Sequence, residues 1–189
     1  MSDVRIFIER PLPERQLSAS ANMDDLSAAR KFGSPRRRAE FLMWRRIVRR
    51  ELGEDVRISY SAAGAPVIEN GNLYIGVSHS PDFVAVIISE RRCAVDAERL
   101  SRDFGRVADR YIAPCERLLS DDERLAAALW CAKETMYKYS GRRGLNLLED
   151  LRVESVDFDA GRIAGRICGG DLVEMRMSVC EDNLVVYIG

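Results

Sequence analysis

The most informative stretch of the chain reads Trp130-Cys131-Ala132-Lys133-Glu134-Thr135-Met136-Tyr137-Lys138. It lies in a helix of about five turns that we expect to begin at the capping-box pattern Ser120-Asp121-Asp122-Glu123 and to end near Gly141. Trp130, Glu134 and Lys138 are spaced four apart, so they share one face of that helix. A carboxylate and an ammonium on one face can serve a metal–phosphate site, or they can form an ordinary Glu–Lys helix pair with the tryptophan in the core.

A second candidate segment is the short strand pattern Cys93-Ala94-Val95-Asp96-Ala97, which is followed by Glu98. Residues two apart in an extended chain point to the same side, so both carboxylates face one way. Two carboxylates this close repel each other unless a cation or a proton lies between them. Oxygen ligands of this kind suit magnesium. The alternative is a solvated strand end where Arg99 neutralises one acid.

The third segment, Ser78-His79-Ser80, lies between two strand patterns at residues 73–77 and 83–88. His79 is the only histidine in the chain, and an imidazolium beside small hydroxyl residues can bind a phosphate oxygen. A serine hydrolase that pairs Ser78 or Ser80 with His79 is a competing interpretation, although the Gly-x-Ser-x-Gly elbow of such enzymes is absent. The third interpretation of His79 is a structural histidine in a surface loop.

A fourth feature is a basic helix that we expect to open at Ser34-Pro35, with Ser34 as its cap, and to stop at Gly53. Nine basic residues lie between Arg30 and Arg50, against the single acid Glu40. Such a patch attracts phosphates in general. A small phosphorylated ligand, an acidic protein partner and nucleic acid all remain open at this point.

Composition narrows the class of protein. The 189 residues are 47% hydrophobic and 31% charged, which is typical of a globular chain and not of a disordered one. The 29 basic and 30 acidic residues give a net charge of −1, which excludes a protein that is basic overall. Five widely spaced cysteines without a CxxC pair indicate neither a zinc site nor a disulfide scaffold.

The remaining patterns complete the expected fold and location. We expect strands at residues 4–8 and 56–60, a helix from Ser101 to Tyr111, and three or four strands after Leu151. The fold class is therefore α+β, with helices packed on antiparallel sheets. No apolar run approaches a membrane span of about 20 residues, and the start of the chain does not resemble a signal peptide. We expect a cytoplasmic protein that does not bind membranes.

The order of these segments resembles the 4′-phosphopantetheinyl transferases, in particular the monomeric surfactin-synthetase-activating class. The segments that carry the resemblance are Gly64-x-Pro66, Ser78-His79-Ser80, Val95-Asp96-x-Glu98, Trp130-x-x-Lys133-Glu134-x-x-x-Lys138, Gly141 and Gly144-Leu145. The resemblance implies a pseudo-dimer of two similar α+β halves, residues 1–92 and 93–189, with coenzyme A in the cleft between them. The enzyme would move the 4′-phosphopantetheine arm to a serine of a carrier protein and release adenosine 3′,5′-bisphosphate.

The resemblance also implies roles for individual residues. Asp96, Glu98 and Glu134 match the acids that bind Mg²⁺, and Glu134 is the expected base for the incoming serine, so Asp96, Glu134 and Lys138 form the catalytic set. Lys138 would contact the pyrophosphate. His79 and Ser78 would contact a phosphate of coenzyme A. Lys133 would also bind coenzyme A, in a role that the motif does not define. The 3′-phosphate would be held by Arg37 or Arg38, with Lys31.

Three positions depart from the family pattern. Ala65 stands where the family often has a basic or polar residue that contacts coenzyme A, Gly76 where an asparagine is common, and Ala94 where a glycine is usual. Because the acids and Lys138 are retained, we expect an active enzyme; the alternative is a non-catalytic relative that binds coenzyme A or carrier proteins. The expected partner is an apo acyl carrier protein or a peptidyl or aryl carrier domain, not nucleic acid, and the expected state is a monomer.

Overall fold

The computed structural model describes residues 4–69 and 71–189, so Met1 to Asp3, which entered the signal-peptide argument, lie outside it. The helices are α1 Glu14–Ser20, α2 Met23–Ala29, α3 Pro35–Leu52 and α4 Leu125–Ser140. The strands are β1 Arg5–Glu9, β2 Ile58–Tyr60, β3 Pro66–Ile68, β4 Tyr74–His79, β5 Val84–Ser89, β6 Ala94–Arg99, β7 Leu151–Asp157, β8 Arg162–Ile167, β9 Leu172–Cys180 and β10 Asn183–Ile188. Two short 3₁₀ helices, Gly105–Arg110 and Glu116–Leu118, lie between β6 and α4.

Two antiparallel sheets organise these elements. One has the strand order β1-β5-β4 and the other the order β6-β10-β9-β8-β7, while β2 and β3 form a separate hairpin. Helix α3 packs on the first sheet and helix α4 on the second. The α+β prediction is therefore confirmed, together with the expected strands and four strands in the tail. The chain passes from one sheet to the other between Ser89 and Ala94, close to the predicted division at residue 92, and similarity between the halves stays a prediction.

The two sheets meet where β4 lies against β6. Side chains alternate along β4, so Ile75 and Val77 pack in the core beneath α3 while Gly76 and Ser78 face β6. A Cβ at Gly76 would lie 2.8 Å from Ile87 Cγ2 and 3.2 Å from the Ala94 Cα. The strand that carries Ser78 can therefore approach β6 closely only because residue 76 has no side chain.

We predict that Gly76→Ala lowers the free energy of unfolding by about 1–3 kcal/mol, because the added methyl overpacks a tight contact. Urea denaturation measures this loss. Gly33→Ala is the matched control, since nothing lies within 4 Å of a Cβ at Gly33. A Gly76→Ala protein as stable as the wild type would show that β4 and β6 can separate without cost.

The basic helix is confirmed as α3, but its charge is only partly available to ligands. Arg45 and Arg49 are buried, and both donate hydrogen bonds to the buried carboxylate of Asp25 in α2, at 2.7 Å each. These arginines therefore hold α2 against α3 instead of forming a phosphate-binding surface. Helices α1 and α2 were not expected from the sequence, because seven residues are too few for a helix that is stable without tertiary contacts.

The predicted start of the long helix is wrong, whereas that of the basic helix is confirmed. Helix α4 begins at Leu125, because the Ser120 hydroxyl accepts a hydrogen bond from the Asp122 N–H and closes a local turn. Ser34 precedes α3 as expected, but its side chain makes no capping hydrogen bond. The helix expected from Ser101 to Tyr111 is reduced to the 3₁₀ helix at Gly105–Arg110. Across residues 4–69 and 71–189, no helix is long and apolar enough to cross a bilayer.

Candidate active site

The predicted face of α4 meets the acidic strand β6. Trp130 Nε1 donates a hydrogen bond to Glu98 Oε1 at 3.0 Å, and Lys138 Nζ donates to Asp96 Oδ1 at 2.7 Å. Glu134 lies one helical turn from each of these two residues. Lys138 therefore pairs with Asp96 across the two elements and is not simply the partner of a helix pair with Glu134.

Asp96 is the centre of a buried polar cluster. Its Oδ1 accepts hydrogen bonds from Lys138 and, at 2.9 Å, from the hydroxyl of Ser78. Lys138 also donates to Ser78 Oγ and to the Val95 carbonyl, so its ammonium is fully engaged. The other carboxylate oxygen, Asp96 Oδ2, is buried and has no hydrogen-bond partner among the described residues. Ser78 is thus used to orient Asp96 and Lys138.

Negative charge is concentrated around Glu134. Burial raises the pKa of the Glu134 carboxyl, the charges of Asp96 and Glu98 raise it further, and the charge of Lys138 opposes them. This pattern shows that the three acids interact electrostatically. A carboxylate in such a position is stabilised by any added cation and is a better proton acceptor near neutral pH than an ordinary glutamate.

The donor set is suitable for a divalent cation, although the acids do not converge. Within residues 4–69 and 71–189 no three His, Cys, Asp or Glu side chains form a group that could hold a metal. Asp96 Oδ1 accepts a hydrogen bond from Lys138, and Glu98 Oε1 accepts hydrogen bonds from Trp130 and Arg102. The unpartnered Asp96 Oδ2 is nevertheless an oxygen that a hard cation such as Mg²⁺ would satisfy.

His79, at the end of β4, belongs to a second cluster. Arg37 Nη1 donates to its Nε2 at 2.7 Å, and Glu40 Oε2 lies 3.4 Å from the same nitrogen. Burial lowers the pKa of His79; the charge of Glu40 raises it, and the charges of Arg37, Lys138 and Arg36 lower it. The ring is therefore neutral near pH 7, with Nε2 as an acceptor. An arriving phosphate would face two arginines and one histidine.

The structure separates the three basic candidates for the 3′-phosphate. Arg37 is exposed and contacts His79. Arg38 is held by the Glu14 carboxylate and the Phe32 carbonyl, so its guanidinium fastens α1 to α3. Lys31 is exposed in the turn after α2. Of the three, only Arg37 is seen in contact with another predicted site residue.

Lys133 is not brought to the site. Its side chain is fully buried in the core of the second sheet, where Nζ donates to the Tyr111 carbonyl at 2.6 Å and to Glu116 Oε2 at 2.8 Å. The position follows from helix geometry, because Lys133 lies about 100° around α4 from Glu134 and faces the opposite elements. The cofactor contact expected for Lys133 is thus corrected to a structural ion pair.

The serine hydrolase interpretation does not fit the geometry. The hydroxyl of Ser78 donates to Asp96, and the hydroxyl of Ser80 accepts hydrogen bonds from the N–H groups of Asp82 and Phe83. The His79 ring nitrogen that could act as a base is bonded to Arg37. Neither serine is activated by the histidine.

A cavity of about 780 Å³ reaches the Asp96 cluster at Lys138. Its walls include the β2–β3 hairpin, β4, Arg92 and Lys138. A smaller cavity of about 230 Å³ shares Ala65, Pro66 and Lys138 with it. The Gly64-Ala65-Pro66 segment and Lys138, which are far apart in sequence, line the smaller cavity together, and Ala65, Pro66 and Lys138 also line the larger one, whose volume suits a small molecule.

Two residues near the site were not singled out from the sequence. Glu40 is buried beside His79, and Arg102 bonds Glu98 where Arg99 was expected to neutralise an acid. Arg99 pairs with Asp82 instead. Glu40 carried a signal, since it is the only acid within the strongly basic segment. The sequence contained no signal for the partners of Glu98, because these contacts depend on how α4 packs against β6.

Comparisons with known proteins agree with this geometry. A sequence profile of the 4′-phosphopantetheinyl transferase superfamily matches residues 92–180, which include both acidic positions of β6 and the whole of α4. The chain is also 28% identical over 171 residues, covering 79% of this chain and 71% of the relative, to the 4′-phosphopantetheinyl transferase HetI of Nostoc sp. (strain PCC 7120 / SAG 25.82 / UTEX 2576). The chain is therefore similar to the 4′-phosphopantetheinyl transferase superfamily over residues 92–180, the part that carries β6 and α4.

Proposed function

We propose that the protein transfers the 4′-phosphopantetheine arm of coenzyme A to a serine of an apo acyl, peptidyl or aryl carrier protein, and releases adenosine 3′,5′-bisphosphate. The observation that carries the proposal is the contact of α4 with β6, where Lys138 and Asp96 meet beside an unpartnered carboxylate oxygen and a large cavity. The superfamily match covers this same contact. The closer assignment to the surfactin-synthetase-activating class, with two similar halves, is part of the proposal.

In this proposal Asp96, Glu98 and Glu134 would hold Mg²⁺. The metal would neutralise charge that develops on the pyrophosphate during attack. Glu134 accepts the proton of the carrier serine, directly or through water. Lys138 exchanges one of its present hydrogen bonds for a pyrophosphate oxygen, and Ser78 keeps Asp96 in place. The nucleophile belongs to the carrier, which accounts for the inactive geometry of Ser78 and Ser80.

Phosphate recognition is assigned to the cluster at the end of β4. His79 and Arg37 already touch each other, and both are accessible to solvent. Arg36 adds positive charge on the same helical turn. Lys31 stays a predicted contact, while Arg38 serves to fasten α1. The proposed anion is the 3′-phosphate of coenzyme A.

We predict that Arg37→Ala raises the KM for coenzyme A about tenfold with little change in kcat, because it removes a charged hydrogen-bond donor from the phosphate alone. Steady-state kinetics with a carrier protein in excess measure both constants. Arg46→Ala is the matched control, since Arg46 is an exposed arginine of the same helix. A raised KM in Arg38→Ala but not in Arg37→Ala would transfer the role to Arg38.

The proposed function is tested by mass spectrometry of apo carrier proteins incubated with the protein, coenzyme A and Mg²⁺. We expect a mass increase of one phosphopantetheine arm, lost when the metal is chelated and restored when Mg²⁺ is returned. No increase on any of several carrier types, in spite of measurable coenzyme A binding, would favour the non-catalytic relative. Retention of the full acid set disfavours that alternative.

The structure narrows the basic surface on which the nucleic-acid alternative depends. Arg45 and Arg49 are buried and paired with Asp25, so two of the nine basic residues between Arg30 and Arg50 are not available to a polyanion. Nucleic-acid binding would also weaken steeply with salt and would not depend on coenzyme A. The monomeric state and the cytoplasmic location stay predictions of the sequence.

A further inference from the structure

Glu40 is a buried carboxylate with an unsatisfied oxygen. Its residue is 6% exposed, and its Oε1 accepts a hydrogen bond from Arg36 Nε at 2.7 Å. Its Oε2 is buried and has no hydrogen-bond partner in the described part of the chain. A buried acceptor without a donor is costly, so a second arrangement that supplies the donor is expected to form under some condition.

The missing donor is close by. Glu40 Oε2 lies 3.4 Å from His79 Nε2 and 3.7 Å from Arg37 Nη1. In the structure Arg37 Nη1 donates to His79 Nε2, so this nitrogen carries no proton and offers Glu40 nothing. The side chains of Glu40, Arg37 and His79 therefore lie close together, but the only hydrogen bond among the three joins Arg37 to His79.

Protonation of the ring would change the pairing. With a proton on Nε2, His79 can donate to Glu40 Oε2 and can no longer accept from Arg37. The guanidinium of Arg37 is then released, and His79 Nδ1–H stays available as a second donor. One proton is taken from solvent to form the Nε2–H bond, and no other covalent bond of the protein or ligand changes.

We propose that Glu40 is a positioning residue, whose Oε2 receives the Nε2–H of His79 when a phosphate binds, so that Arg37 is released to the same phosphate. The proposal rests on the phosphate role of His79 in the proposed function. The charged groups facing His79 are Glu40, Arg36 and Arg37 from α3 and Lys138 from α4. The three cations oppose protonation in the free protein, and a bound phosphate supplies the negative charge that favours it.

The single histidine makes this directly observable by NMR. In protein labelled with ¹⁵N-histidine, the two ring nitrogens give one set of signals, and the probe is adenosine 3′,5′-bisphosphate. Near pH 7 we expect a neutral ring protonated on Nδ1 in the free protein and a doubly protonated ring in the complex. In Glu40→Gln we expect the ring to stay neutral at saturating probe, and the probe to bind about tenfold more weakly.

Controls separate this role from a merely structural one. Glu51→Gln, which removes another acid of α3, should behave as the wild type in both measurements. In a His79→Gln background, Glu40→Gln should cause little further loss of affinity, because the two residues act through one hydrogen bond. Melting temperatures show whether Glu40→Gln folds, and the wild-type titration tests the proposal even if it does not.

Two results would overturn the proposal in different ways. If the ring signals of the wild type do not become doubly protonated when the probe saturates the protein, the inference fails, and unchanged signals remove the phosphate role of His79 as well. If Glu40→Gln shows the same protonation and affinity as the wild type, only the role of Glu40 fails. Transfer to a carrier protein, measured on the same preparations, reports on the proposed function independently.

Discussion

Replacing Glu134 by glutamine is expected to lower the rate of phosphopantetheine transfer by about 10²–10⁴-fold, the range typical of a lost general base. The amide keeps the shape of the side chain but cannot accept the serine proton or act as an anionic ligand. The variant should not be less stable than the wild type. Burial and the neighbouring charges of Asp96 and Glu98 already raise the pKa of Glu134, so a neutral side chain removes unfavourable electrostatic energy.

The measurements are the rate of carrier modification by mass spectrometry and the melting temperature of each protein. Glu123→Gln is the matched control, because Glu123 is exposed and lies just before the start of α4. We expect full activity in the control, and a melting temperature for Glu134→Gln equal to or above that of the wild type. Full transfer activity in Glu134→Gln would contradict both the base and the metal-ligand assignment.

The largest loss of stability is expected from Glu116→Gln, at about 3–5 kcal/mol, because it leaves the buried ammonium of Lys133 without its countercharge. Glu116 also accepts hydrogen bonds from the N–H groups of Ala113 and Val153, so it joins the loop before α4 to β7. The double variant Lys133→Met with Glu116→Gln should recover much of the loss, since it removes both charges. Urea denaturation of both single variants and of the double variant gives the interaction energy.

An exposed pair of the same region provides the control. Arg117 and Asp109 form an ion pair in which the aspartate side chain is 96% exposed, so Asp109→Asn should be neutral. The double variant also tests the site assignment. A normal KM for coenzyme A confirms that Lys133 is structural, whereas a raised KM in a well-folded double variant would return it to the cofactor site.

The candidate site shows which contacts local sequence patterns can predict. The four-residue spacing of Trp130, Glu134 and Lys138 predicted a shared helix face, and the two-residue spacing of Asp96 and Glu98 predicted a shared strand side. The contacts of Trp130 with Glu98 and of Lys138 with Asp96 show these two faces meeting. The same reasoning applied to Lys133 would have placed it on another face of the helix, but the motif resemblance grouped it with Glu134.

The basic segment, residues 30–50, shows what local sequence patterns do not predict. Its helix and its end at Gly53 were predictable, because Pro35 and Gly53 act through the local backbone. The sequence did not predict which arginines are free to bind a ligand. Arg45 and Arg49 are neutralised by Asp25, which lies in a short helix that the sequence did not reveal. Ion pairing between distant residues depends on packing and leaves no mark in the spacing of either partner.

The sequence by itself determined the class of fold, the two long helices, most of the strands, the superfamily resemblance and the identity of the acids, because periodicity and motif spacing are properties of neighbouring residues. The tertiary structure decided which charged side chains are paired with each other and which are free to bind a ligand. It placed Asp96 with Lys138, Lys133 with Glu116, and Glu40 with His79. Each pair joins residues at least 17 positions apart, and their electrostatic energy depends on distance and burial, which only the folded chain defines.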